Sequence, residues 1–249
     1  MPNARRALIA GLGLIGGSIG IALRRAGWRV SFDDPNVALA DARKAGAADD
    51  DEREGADVLI LATPVDAALR ILATRNAQLA TSVCSVMGPL RAAADEHHLS
   101  FIAGHPLAGS EKSGLAAACG DLFEGKPWFV DRDEQLVADI IDACGARVER
   151  VNAEEHDRAV ALTSHLPQLL STALASVIGG RDLERFAGSG LKTFLRLAES
   201  DPNVWMPVLT ANRDNIAPQV DELARAVRTI LDGNAGAFDR ARRFVRRLS

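Results

Sequence analysis

The run Gly11-Leu-Gly-Leu-Ile-Gly16 restricts the fold of this chain more than any other stretch. It follows directly on Ala7-Leu-Ile-Ala10, an apolar segment fit for a buried strand, and leads into Ser18 to Ala26, which reads as helix. In that setting each glycine has a physical reason. Gly11 permits a tight turn, Gly13 lets the backbone approach a pyrophosphate, and Gly16 lets helix and strand pack closely. Leu14 and Ile15 complete the turn, and the helix N-terminus faces the phosphates. The next strand, Arg29-Val-Ser-Phe-Asp33, ends in an acid twenty residues after Gly13. That spacing suits a carboxylate that takes the ribose hydroxyls of an adenosine. Asp33 and Asp34 together repel a 2′-phosphate, and no arginine lies close behind them in the sequence. The pattern predicts a site for NAD in preference to NADP.

Strand and helix go on alternating. Pro35 to Gly46, Val65 to Leu79 and Pro89 to Leu99 read as helices. Asp57-Val-Leu-Ile-Leu-Ala-Thr-Pro64 is a near-continuous apolar strand, as in a parallel sheet covered on both faces. Thr63 and Pro64, at its end, join the expected cofactor set. Ser82 to Met87 and Phe101 to Gly104 are further strands. Trp128 to Asp131 and Arg147 to Val151 look like extensions of the same sheet, with a helix from Glu134 to Cys144 between them. Near residue 150 the pattern changes. Glu154 to Ile178 is helical with a kink expected at Pro167, and Leu183 to Glu199, Asn203 to Leu231 and Ala237 to Leu248 are helical too. The expected architecture is an α/β Rossmann-type dinucleotide-binding domain over residues 1–151, followed by an all-α domain over 152–249.

Composition narrows the function. A net charge of −4 gives no electrostatic case for nucleic acid, and the arginines between Arg240 and Arg247 read as a solvated helix face. Three cysteines, without a C-x-x-C pair, argue for a reducing compartment and against a metal site. The first 26 residues look superficially like a secretion signal, but their glycine spacing serves no such purpose. No run is apolar for long enough to span a bilayer. The expectation is a cytoplasmic protein with no membrane partner and no metal.

The reactive groups sort by context. His105 follows a short apolar run and sits in Gly104-His105-Pro106, at a strand end, where open α/β sheets place their ligands. It is the candidate catalytic residue. His97 and His98 are adjacent and point different ways on a helix, so they read as surface residues. His156 and His165 are nine residues apart, which at ~100° per residue puts them on roughly opposite faces of a straight helix. His165 and Gln168 share a face near Pro167 and are the favoured pair. His156-Asp157, at a helix start, reads as a capped or core-satisfied histidine. Lys192 and Arg196 project the same way from one helix, and an arginine grips a carboxylate with two parallel hydrogen bonds.

Taken together, the chain resembles the prephenate/arogenate dehydrogenases of tyrosine biosynthesis. The likeness rests on Gly11 to Ser18; Ser85-Val-Met-Gly88; Gly104-His-Pro-Leu-Ala-Gly-Ser-Glu111 with Leu122-Phe-Glu-Gly125; His156-Asp157 with Ser164-His-Leu-Pro167; and Arg196 to Trp205. The resemblance implies oxidative decarboxylation of prephenate to 4-hydroxyphenylpyruvate. Hydride leaves C4 for NAD as CO2 leaves C1. It implies that His105 takes up the proton of the C4 hydroxyl, with Ser85 near the same group. It implies that Arg196 binds a substrate carboxylate, and that His165, Gln168, Ser110 and Trp205 belong to the substrate site. Glu111 matches an acid at the pocket entrance, and Lys192 matches a position that reaches a neighbouring subunit's site. The helical half matches a dimerisation domain, so a homodimer is expected. Many relatives carry lysine where Met87 stands and histidine where Gln168 stands. That leaves arogenate, or a 4-amino analogue, open as the substrate. A redox-sensing NAD-binding protein is the non-catalytic alternative. An appended chorismate mutase or regulatory domain is not expected.

Overall fold

The computed structural model describes residues 4–75, 77–109 and 112–248. Ser110 and Glu111, both expected at the substrate site, lie outside the described residues. By contacts the chain divides into two units, Met1–Val160 with Glu199–Ala211, and Ala161–Ala198 with Asn212–Ser249.

The first unit is built on a parallel five-stranded sheet. Its strands are β1 (Arg6–Ala10), β2 (Arg29–Asp33), β3 (Val58–Leu61), β4 (Ala80–Ser82) and β5 (Phe101–Ile102), in the order β2-β1-β3-β4-β5. Side chains of β1 alternate between the two faces. Ala7 and Ile9 pack with the apolar residues of α1 (Leu14–Arg25) and α5 (Gln135–Ala143), and Leu8 and Ala10 pack with those of α3 (Val65–Thr74) and α4 (Gly88–Glu96). Helices on both faces explain why β3 is buried at every position. A short helix, α2 (Leu39–Lys44), follows β2. The strand order reverses between β1 and β3, and ligands of such sheets sit at that reversal, outside the carboxyl ends.

Two expectations about the sheet need correcting. β4 ends at Ser82, so Val83 to Met87 is the loop into α4. The chain also does not turn away at His105. It passes through Ala103 into a second sheet, where β6 (Gly104–Pro106) lies antiparallel to β7 (Pro127–Val130), and β7 lies parallel to β8 (Arg147–Arg150). β7 and β8 therefore belong to this sheet and do not extend the first. The crossing is fixed by polar contacts that a hydrophobic pattern does not reveal. Asp131 accepts from the Ala103 N–H at 2.9 Å, and Arg91 donates to the Phe101 carbonyl at 2.7 Å. Glycine is required at 104, because a Cβ there would stand 2.7 Å from the Ser82 carbonyl oxygen.

The first unit also holds α6 (Ala153–Val160) and α9 (Pro202–Ala211), whose Val208 is buried in the cluster of Leu8 and Met87. The second unit is helical. A π turn, Ala161–His165, leads into α7 (Leu166–Ile178). Pro167 has no N–H to give to the carbonyl four residues before it, and the helix widens there into a π turn in place of a simple kink. Arithmetic for a straight helix from His156 to His165 therefore does not hold. Beyond it come α8 (Ser189–Leu195), a 3-10 turn Arg196–Glu199, α10 (Arg213–Leu231) and α11 (Gly236–Val245). The long segments expected at 183–199 and 203–231 are thus each broken, the second at Asn212.

Candidate functional site

The glycine turn is shaped for a dinucleotide. Gly11 has φ +87°, a left-handed conformation, and a Cβ there would lie 2.7 Å from the Ala62 carbonyl oxygen at the end of β3. A Cβ on Gly16 would lie 2.0 Å from the Gly11 oxygen, so the helix can start here only with glycine. Three observations fit a phosphate-bearing cofactor. A Cβ on Gly13 would meet nothing within 4 Å, the start of α1 carries no side-chain cap, and the Thr63 hydroxyl is buried without a hydrogen-bond partner among the described residues. Leu14 and Ile15 form the first turn of α1, and Pro64 caps α3 beside Thr63.

The acids after β2 divide their work. Asp34 accepts from the Leu12 N–H at 2.8 Å and so fixes the glycine turn. Asp33 stands at the end of β2, and Gly11 donates to its carbonyl. No arginine follows it closely in the sequence, but the fold brings two to it. Arg75 approaches Asp33 Oδ2 at 2.6 Å and Arg53 approaches Oδ1 at 2.9 Å. Both come from other parts of the chain, so their proximity is a product of the fold.

His105 occupies the middle of β6 and is 9% exposed. Its Nδ1 lies 2.9 Å from His156 Nε2, with the rings edge to face at 87°. His156 Nδ1 lies 2.8 Å from Asp157 Oδ1. Asp157 Oδ1 also accepts from the Met87 N–H at 2.9 Å, and Oδ2 from the Gly88 N–H at 2.8 Å. Those N–H groups open α4, where orphan donors and the helix dipole favour an anion. His156 and Asp157 are both nearly inaccessible. His156 is thus a buried histidine with both ring nitrogens partnered, as expected, and one of those partners is His105. A Cβ on Gly88 would stand 2.9 Å from Asp157 Oδ2, so the carboxylate sits close against the start of α4.

The backbone donors on Asp157 favour one arrangement of the ring hydrogens. Both oxygens of Asp157 receive backbone donors, so the facing Nδ1 of His156 carries hydrogen. With hydrogen on that nitrogen alone, His156 offers a bare Nε2, to which His105 donates from Nδ1. In that arrangement Nε2 of His105 carries no hydrogen and can accept a proton. Ser85 lies in the loop between β4 and α4 and is half-buried. Met87 puts its side chain into the apolar cluster of Val86 and Leu90, while its N–H serves Asp157.

In the second unit, His165 is fully buried and its Nδ1 receives Asn212 Nδ2 at 3.0 Å; Asn215 in turn donates to Asn212. Gln168 donates to the Leu197 carbonyl at 2.7 Å and to Thr172 at 3.2 Å. Both residues of the expected pair are thus held within the second unit, His165 by Asn212 and Gln168 by Leu197 and Thr172. Gln168, with Ser171 on the Phe194 carbonyl, pins the backbone that carries Arg196. Lys192 and Arg196 are exposed on that segment. Trp205, in α9 of the first unit, packs against the cluster of Met87 and Val208.

Other groups contribute no chemistry here. Burial pushes the Cys84 and Cys144 thiols up to about 12, which leaves them inert. An open cleft lined by Arg5, Arg6 and Arg29 lies at the amino-terminal edge of the sheet, away from the glycine turn, and its guanidiniums are paired with Asp139, Glu52 and Asp50. Among the described residues no helix is long and apolar enough to cross a membrane.

Two family profiles cover most of the chain. The nucleotide-binding domain of prephenate dehydrogenase matches residues 19–153, and the dimerization domain of prephenate dehydrogenase matches residues 152–234. A prephenate dehydrogenase of Bacillus subtilis (strain 168) is 32% identical over 251 residues, spanning 88% of this chain and 67% of that protein. A cyclohexadienyl dehydrogenase of Zymomonas mobilis is 27% identical, spanning 92% of this chain and 89% of that protein. The crystal structure of prephenate dehydrogenase from A. aeolicus in complex with hydroxyphenyl propionate and NAD+ superposes with a TM-score of 0.83 at 25% identity, covering 99% of this chain and 98% of that one.

Proposed function

We propose that this chain, which belongs to the prephenate dehydrogenase family and is an NAD-dependent dehydrogenase of tyrosine biosynthesis, oxidises and decarboxylates prephenate with His105 as its base. The observation that carries the assignment of roles is the chain of contacts from Asp157 through His156 to His105 Nδ1. Bound NAD supplies the hydride acceptor, held by Gly11, Gly13, Leu14, Ile15, Gly16, Thr63 and Pro64, with Asp33 at its adenosine ribose. His105 Nε2 receives the proton of the C4 hydroxyl as the carbonyl forms there. The imidazolium that results keeps its Nδ1–H on His156, and Asp157 offsets the charge through that ring. Ser85 orients the same hydroxyl. Arg196 takes a substrate carboxylate, and Gln168 holds its backbone in place; His165, Lys192, Ser110, Glu111 and Trp205 complete the assigned substrate residues.

Two further assignments belong to this reading. The protein works as a homodimer through its C-terminal helices, for which the dimerization-domain match and the apolar surface of the second unit are the support. It works in the cytoplasm, a reducing setting that suits Cys84, Cys119 and Cys144 as free thiols.

The test is a side-by-side assay of prephenate and arogenate with NAD. The expected outcome is NADH and 4-hydroxyphenylpyruvate in equal amounts from prephenate. His105→Asn should lower kcat by about 10²-fold or more, on the usual scale for an acid/base residue, while NAD binding stays near that of the parent. Absence of NADH with both substrates would refute the catalytic reading. Turnover with arogenate alone would keep the mechanism and change the substrate.

A further inference from the structure

We propose that Arg75 and Arg53 form a latent 2′-phosphate subsite, which Asp33 fills with its own carboxylate. The inference rests on the nucleotide-binding assignment and not on the catalytic one.

The geometry argues for a filled anion site. Asp33 closes β2 beside the glycine turn, at the sheet edge where an adenosine ribose lies in folds of this kind. Its two oxygens are claimed separately, Oδ2 by Arg75 Nη2 at 2.6 Å and Oδ1 by Arg53 Nη2 at 2.9 Å. One monoanion therefore sits between two permanent cations. Asp34 does not balance the second one directly, because its oxygens accept the Leu12 and Asn36 N–H groups. Arg75 is held half-buried just past the end of α3, and its Nη1 is buried with no hydrogen-bond partner among the described residues. A planar fork with a donor to spare, next to a second guanidinium, is the arrangement that phosphate recognition uses. A phosphate monoester near neutral pH carries more negative charge and more acceptor oxygens than a carboxylate, and matches the two cations more fully.

With Asp33 present, the carboxylate accepts the ribose hydroxyls and keeps a phosphate out by both charge and occupancy. Without it, the two guanidiniums face the 2′ position. Asp33→Ser should then do more than weaken NAD: it should create affinity for the phosphorylated form. A simple loss of a ribose contact predicts no such gain.

The experiment uses fragments of the cofactor, so catalysis does not enter. Adenosine 2′,5′-bisphosphate and 5′-AMP are titrated calorimetrically into the full chain, its Asp33→Ser variant, and the pairs Asp33→Ser/Arg75→Met and Asp33→Ser/Arg53→Met. In the parent, 5′-AMP should bind at least as well as the bisphosphate. In Asp33→Ser the preference for the bisphosphate should rise by at least tenfold, and it should fall back by at least fivefold when Arg75 or Arg53 is also removed. An unchanged ratio in Asp33→Ser overturns the proposal. So does a gain that survives both arginine replacements, since it would reflect net charge alone. If the serine variant does not fold, as judged by its thermal transition, the near-isosteric Asp33→Asn carries the same comparison.

Discussion

His156 is the residue whose role depends most on three dimensions. On its own it is a polar ring in a helix; placed between Asp157 and His105, it touches both, and in the proposed mechanism it sets which nitrogen of His105 carries hydrogen. Two replacements separate positioning from stability. His156→Asn removes the link and leaves Asp157 on the Met87 and Gly88 N–H groups, so α4 keeps its cap. It should lower kcat by about 10²-fold, on the scale of acid/base effects, with NAD binding unchanged and little change in melting temperature. Asp157→Asn should lower kcat to a similar extent and also cost roughly 1 kcal/mol of stability, because an amide cannot accept at both of its ends. Stopped-flow turnover, the pH profile of kcat/KM and calorimetric melts make the comparison. A His156→Asn variant with the parent's kcat and pH profile would leave His105 without a positioning partner and sink this account.

At the scale of elements, the critical step is the passage from β5 through Ala103 into β6. Gly104 allows β6 to lie against the end of β4, with its N–H 3.2 Å from Ser82 Oγ. Gly104→Ala would press a Cβ to 2.7 Å from the Ser82 carbonyl oxygen and 3.1 Å from Trp128 Nε1, and neither backbone nor buried indole can yield cheaply. Overpacking of this kind costs about 1–3 kcal/mol, which in a unit of this size lowers the melting temperature by roughly 2–12 °C. It should also reduce kcat, because His105 is the next residue. A melt within a degree of the parent would mean the crossing is softer than it looks. This same passage marks the limit of what the sequence discloses. The Gly11–Gly16 turn, the buried strands and the helical second half were legible, since glycine spacing and hydrophobic period act locally. The second sheet was not, because Asp131, Arg91 and Gly104 act on backbone groups far from them in the chain. The π turn before Pro167 and the break at Asn212 hide for a related reason: amphipathic period continues through both. That His105 stands apart from the other histidines was legible from its motif. Its tautomer was not, because Asp157 and the start of α4 are separated by 69 residues.

For the whole molecule, the second unit exposes several large apolar side chains. Phe186, Leu231, Phe238 and Leu248 are each more than 60% exposed. Monomers rarely leave such residues together in water, and a surface of this kind marks a partner. The dimerization-domain match over residues 152–234 supports a second copy as the partner in the proposed homodimer. On α10, Val227 and Leu231 are four residues apart and so share a face, with Ile230 beside them. Burying one such side chain is worth about 1.5–3 kcal/mol, and a two-fold interface buries each of them twice. Placing two glutamates there should therefore shift the association constant by several orders of magnitude at the 1.4 kcal/mol per tenfold scale. Sedimentation equilibrium at low micromolar concentration should give the parent twice the mass of the 26.4 kDa chain. Val227→Glu/Leu231→Glu should sediment as a single chain while keeping the parent's affinity for 5′-AMP, because the nucleotide residues all lie in the first unit. A parent that sediments at the mass of one chain removes the dimer from the proposed function. A variant that stays dimeric moves the interface off this face of α10 and onto the apolar residues of the other helices in the unit.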